Sequence, residues 1–244
     1  MCGKFTQMMN WGEYMSLADI MGAPDGPVES VRPMRFATVI RVNEGKREAA
    51  RMRWGLAPSW VKDPNTAQFI HARAENLDKR PTYRDAFLRR RGLLIVRTFN
   101  EGREITPTKT EQHVIAPNDG KPIAIAVIWE CWGEAGPAML ASFAMVTVPA
   151  NALIRQITDR MPAIVAAEKW DVWLGETAAT VAELKAFLRP FEGDWTMQAQ
   201  ARHVPAAPQK RDPTELSLGR LSRFGTDLLA PDLNGTEVEA PHVS

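Results

Sequence analysis

The chain has 244 residues, 45% of them hydrophobic and 24% charged, with a formal net charge of +1. That is the profile of a soluble globular protein long enough to bury one substantial core. No run of about eighteen apolar residues occurs, and no charged region followed by an apolar one opens the chain, so neither a transmembrane helix nor a signal peptide is expected.

Two cysteines, Cys2 and Cys131, do not make a disulfide framework, and reduced cytosol is the expected compartment. With four scattered histidines they give no metal-ligand spacing, so no metal or cofactor is expected. The small net charge hides an asymmetry. Residues 1–110 carry 19 Lys and Arg against 12 Asp and Glu, and residues 111–244 carry 11 against 17. A basic front half suits a localised polyanion site, with solvated charge on helix faces as the alternative.

In chain order the first feature is Met1-Cys2-Gly3. Removal of Met1 would leave Cys2 with a free α-amine beside its own thiol, a bifunctional nucleophile. The amine condenses with an aldehyde and the thiol then closes a thiazolidine ring. An α-amine titrates near ~7.7–8.0 and a thiol near ~8.5, so fractions of both nucleophiles exist at neutral pH. The alternative is that Cys2 is simply a second residue.

Residues 11–21 have Trp11, Tyr14, Met15 and Ala18 at helical spacing, and a Pro/Gly-rich loop follows to Pro33. Residues 35–42 and 48–54 read as a strand pair joined at Asn43-Glu44-Gly45. Arg51 and Arg53 alternate there with Met52 and Trp54, which puts arginines on one face and apolar residues on the other. The loop Trp54-Gly55-Leu56-Ala57-Pro58-Ser59-Trp60 offers either core anchors or a stacking platform beside a nucleic acid.

A helix is predicted from about Pro81 to Arg91, and its closing Arg89-Arg90-Arg91 complements the helix dipole. Residues 92–97 read as a buried strand that delivers Phe99-Asn100-Glu101-Gly102, and 122–132 with 141–148 as a hairpin. Cys131 reads as a buried apolar thiol. Asn151 caps a short helix over 152–157, and helices are predicted at 166–175 and 178–189. A single domain is expected over 1–197. A loosely attached extension over 198–244 follows, with one helical piece near 214–223.

Taken in order, several short segments resemble the SOS-response-associated peptidase (SRAP) family, proteins that crosslink to abasic sites in single-stranded DNA. They are Met1-Cys2-Gly3-Lys4-Phe5, Met52-Arg53-Trp54-Gly55-Leu56 with Pro58-Ser59-Trp60, and Ala72-Arg73-Ala74-Glu75. The match continues through Arg80-Pro81, Arg84-Asp85-Ala86-Phe87, Phe99 with Glu101, Trp129-Glu130 with Trp132, and Asp159-Arg160-Met161-Pro162. The resemblance implies an α+β fold with a twisted, largely antiparallel, barrel-like sheet and flanking helices.

It also implies a protein that sheds Met1 in one self-cleavage and traps the ring-opened aldehyde of an abasic site in single-stranded DNA as a thiazolidine on Cys2. A monomer is expected, in the cytoplasm and joining the nucleoid when bound to DNA. Glu101 falls where the family keeps a catalytic glutamate. Lys4, Arg73, Arg84 and Arg160 fall among its DNA-contacting cations, and Trp54, Pro58 and Trp60 in the loop inserted beside the lesion.

Three departures stand out. Thr158 occupies the position where the family has the histidine implicated in sugar opening and crosslink reversal, and His71 stands where it has asparagine. A threonine does not exchange protons near neutral pH as imidazole does. Either the imidazole has moved, with His71 carrying proton transfer while Thr158 hydrogen-bonds, or the chain is a DNA-binding relic. The segment before Glu101 also lacks the family's Pro, Asp, Gly and Trp. From other classes, an N-terminal-nucleophile amidohydrolase and a general peptidase compete.

Overall fold

The computed structural model describes residues 2–7, 29–66, 69–136 and 138–200. The helix expected at 11–21, most of the loop after it and the piece near 214–223 lie outside the described residues.

Strands β1 (Lys4–Gln7), β2 (Glu29–Val31), β3 (Phe36–Asn43), β4 (Lys46–Trp54) and β5 (His71–Arg73) precede helix α1 (Pro81–Arg89). Then come β6 (Arg91–Val96), β7 (Thr98–Thr106), β8 (Lys109–Pro117), β9 (Ile123–Trp132), β10 (Leu140–Pro149) and β11 (Arg160–Pro162). Helices α2 (Trp170–Leu174) and α3 (Val181–Phe187) lead to β12 (Trp195–Ala199), which runs across the boundary expected at residue 197.

Two sheets result. One closes on itself: β10 pairs with β4 on one side and β9 on the other, and β3 and β6 complete the ring. The second is open, in the order β12-β8-β7-β1-β2, and antiparallel throughout. Among named strands only β10 with β4 and with β5 runs parallel, so the barrel-like, largely antiparallel α+β expectation holds. Closure removes two exposed edges that would otherwise template aggregation. Among the described residues no helix is long and apolar enough to cross a membrane.

Local chemistry explains the elements. The β3–β4 hairpin turns on Glu44 and Gly45, both at positive φ (50° and 75°), as a two-residue primed turn requires. β9 is apolar on both faces and buried from Ile123 to Ile128, as a central barrel strand should be. α1 begins with Pro81 and is closed by Arg91, whose guanidinium donates to the carbonyls of Phe87, Leu88 and Trp173. Asn151 caps the next turn by accepting the N–H of Ile154, and a reciprocal Thr180–Glu183 box opens α3.

Three expectations change. Phe99–Gly102, expected to be delivered by the strand over 92–97, itself lies within a second strand, β7, which pairs with β8 in a hairpin. Arg53 shares a face with Arg51 but is 5% exposed, because the 63–65 segment folds over it and receives its guanidinium through Pro64 and Asn65. Cys131 is half-buried rather than buried.

Candidate active site

β1 and β7 build the centre. Their register opposes Lys4 to Asn100 and Phe5 to Phe99, with Phe5 and Phe99 both sealed in the core. Carrying that register toward the N-terminus brings residues 2 and 3 alongside Glu101. Cys2 is 1% exposed and Glu101 0%.

The Glu101 carboxyl lies close enough to the Cys2 backbone amide for that amide to favour its ionised form. Burial raises this carboxyl to about 7, and the charge of Asp159 pushes in the same direction. Glu101 is therefore divided between acid and carboxylate at neutral pH, so it can both give and take a proton. The Cys2 thiol donates to the Lys4 carbonyl at 3.3 Å. Burial, then the neighbouring Glu101 charge, pushes the thiol well up, while backbone contacts from Lys4 and Asn100 pull it back. It is neutral until a base takes its proton.

His71 opens β5, which lies parallel to β10 with His71 opposite Met145. The indole of Trp54 meets the imidazole edge-on at 5.9 Å. Burial lowers the imidazole to about 4, with the Cys2 backbone only partly offsetting it. Its two buried ring nitrogens complete no hydrogen bond among the described residues. At neutral pH His71 is thus an uncharged acceptor beside Cys2.

The remaining expected residues take distinct places. Thr158 is half-buried, and its neighbour Asp159 is close enough for its charge to reach Glu101. Arg160 is buried and held by both Glu75 oxygens (2.6 and 3.0 Å) and the Thr147 carbonyl (2.6 Å), so its guanidinium is already engaged. Arg73 and Arg84 are exposed, and Lys4 is half-buried.

Trp54 is not a surface platform. It is 0% exposed, packed between Phe5 and Phe143, and its indole N–H is spent on the Ile70 carbonyl. Pro58 is buried too, and only Trp60, 64% exposed, is free to stack on a ligand. The β4 alternation had already grouped Trp54 with Met52 on the apolar face.

Sequence reading missed Asn100 and His113, both buried on β7 and β8. Their strands are polar over the exposed distal half, so no alternation announced them. Among the described residues no three His, Cys, Asp or Glu side chains converge on a metal position. A cavity of about 550 Å³ between Ile123, Trp170, Phe191 and Trp195 is lined by none of the site residues.

Comparison with known proteins bears on this arrangement. A family model described as SOS response associated peptidase (SRAP) matches residues 1–207. The abasic site processing protein YoqW of Bacillus subtilis (strain 168) is 27% identical over 219 residues, spanning 87% of this chain and 97% of that protein. HMCES of Xenopus tropicalis, also named an abasic site processing protein, is 24% identical over 52% of this chain and 46% of its own length. Crystal structures of a Bordetella bronchiseptica protein (TM-score 0.70, 21% identity, 82% of this chain and 100% of that one) and a Bacteroides thetaiotaomicron protein (0.67, 20%, 81% and 92%) share the fold.

Proposed function

Because the chain belongs to the SOS response associated peptidase (SRAP) family, we propose that it processes abasic sites by forming a covalent crosslink from Cys2 to single-stranded DNA. The observation that carries this reading is the Glu101 carboxyl, near pH 7, resting on the backbone nitrogen of Cys2. That nitrogen becomes the α-amine once Met1 is gone.

The chemistry follows from those groups. Hydrolysis of the Met1–Cys2 bond, in one self-cleavage, releases methionine and unmasks the amine. The neutral amine adds to the aldehyde carbon of the ring-opened sugar. Protonated Glu101 gives its proton to the departing hydroxyl, which leaves as water and produces a C=N bond. The C=N nitrogen keeps its N–H and carries the positive charge; the thiol then adds to that carbon, its proton passing to the Glu101 carboxylate and the C=N electrons neutralising the nitrogen. One water is lost overall and Glu101 ends as it began. His71, uncharged, accepts a proton or a hydrogen bond at Cys2, and the Thr158 hydroxyl hydrogen-bonds without titrating.

Exposed Arg73 and Arg84, with half-buried Lys4, are placed to meet phosphates, and Trp60 to stack on a base. Arg160 contributes by fixing Glu75, whose carboxyl also feels the charge of Arg73. The protein acts as a monomer on DNA in the cytoplasm. The reading is tested by incubating Met1-processed protein with single-stranded DNA carrying one abasic site. A denaturing gel and a Cys2→Ala control give the result: a Cys2-dependent heat-stable band supports it, and no band refutes it.

A further inference from the structure

A carboxyl sealed from water must take up its proton from the bulk before it can act as the acid, and something must carry that proton in. β8 holds a candidate. In the β7–β8 ladder His113 lies directly opposite Glu101. Directly opposed residues of an antiparallel pair share a face, with Cβ atoms roughly 4.5–5.5 Å apart. That face is the inner one, since Phe99 and Ile115, the next opposed pair on it, are both 0% exposed.

His113 itself is 8% exposed. Its Nδ1 is buried and has no hydrogen-bond partner among the described residues. Its Nε2 is 3.6 Å from a Glu111 oxygen, and the Glu111 side chain is 44% exposed. One end of the imidazole therefore faces an acid at the surface, while the other has nothing structural to do. Buried polar atoms are nearly always satisfied, so the orphaned nitrogen calls for an explanation.

We propose that His113 is a positioning residue that exchanges protons between Glu101 and solvent through Glu111. The inference rests on the thiazolidine reading and adds to it the route by which the central carboxyl is brought to its protonated form. Each transfer moves one proton: from Glu101 to imidazole and on to Glu111, or in reverse. The charged groups around His113 are Glu111 on its own strand, Glu101 and Arg103 from β7, and the Cys2 thiol beyond Glu101. β12 contributes only Ala199 opposite His113.

The test uses the full chain, confirmed by intact mass to begin at Cys2, and two electrophiles. One is single-stranded DNA with an abasic site. The other is glyoxylate, an aldehyde that needs no DNA contact. His113→Gln keeps bulk and hydrogen bonding without titrating, and His113→Ala leaves room for added imidazole.

With either electrophile, H113Q is expected to slow thiazolidine formation on the order of tenfold or more, with a flatter pH–rate profile and unchanged DNA affinity. Imidazole is expected to restore H113A. Wild-type rates for H113Q across the pH range, or a rate loss in H113A that imidazole does not restore, overturn the proposal. Wild-type protein that reacts with glyoxylate but not with abasic DNA overturns the DNA reading instead, and the His113 comparison on glyoxylate still stands.

Discussion

The carboxyl of Glu101 lies against the backbone amide of Cys2 at a point where both residues are closed to solvent. No other acid among the described residues holds that position against the nucleophile. Glu101→Gln keeps the shape and the hydrogen-bonding capacity but removes the exchangeable proton. Crosslinking to abasic single-stranded DNA should slow by on the order of 10²-fold or more, the usual scale for a lost general acid–base. Single-turnover rates on a denaturing gel measure it, and a loss of less than twofold would remove Glu101 from the chemistry.

The same residue makes stability depend on pH. Its ordinary value of 4.5 rises to about 7 in the fold, so between those values the folded state holds a proton that the unfolded chain has released. The stabilisation is complete below about pH 4.5 and is lost as pH rises through 7. Gln does not ionise, so Glu101→Gln should match wild type near pH 4.5 and exceed it by on the order of 3 kcal/mol at pH 8. His71, depressed to about 4, has the opposite slope but is present in both proteins and cancels. Urea melts of the pair at the two pH values give the difference.

His71 and Thr158 separate a relocated imidazole from a lost one. His71 lies against the Cys2 backbone and is uncharged at neutral pH, whereas a threonine hydroxyl has no proton to exchange there. Replacing His71 with Ala should slow crosslinking or its reversal at least tenfold more than replacing Thr158. Equal effects in the two variants, measured side by side, would sink the relocation.

The two tryptophans of the 54–60 loop should behave oppositely. Trp54 is fully buried against Phe5 and Phe143, so Trp54→Ala should cost about 3–5 kcal/mol of folding stability. Trp60 is 64% exposed, and its replacement should leave the melting temperature within a degree or so. It should instead weaken single-strand binding by about 1–3 kcal/mol, the worth of one stacked base. Fluorescence anisotropy and calorimetry on the two variants distinguish them.

How much of this was legible in the chain depends on whether a residue's role is local. The barrel strands and α1 were readable because β-branched runs, a Gly turn and a helix-starting Pro act within a few residues. Cys2 and Glu101 were readable from their motifs. The burial of Arg53 and Arg160 and the placement of His113 were not. Arg53 is buried by Pro64 and Asn65, and Arg160 by Glu75, 85 positions away. His113 matters only through a register that joins two strands whose outer halves are polar and exposed. Trp54 fell between: the loop's composition suggested a platform, while the β4 alternation pointed inward.

The most direct test is the mass and gel behaviour of Met1-processed protein after incubation with single-stranded DNA bearing one abasic site. The account predicts a heat-stable adduct whose mass is protein plus DNA less one water, absent in Cys2→Ala. Processed protein that leaves the abasic DNA unmodified under the same conditions would contradict it.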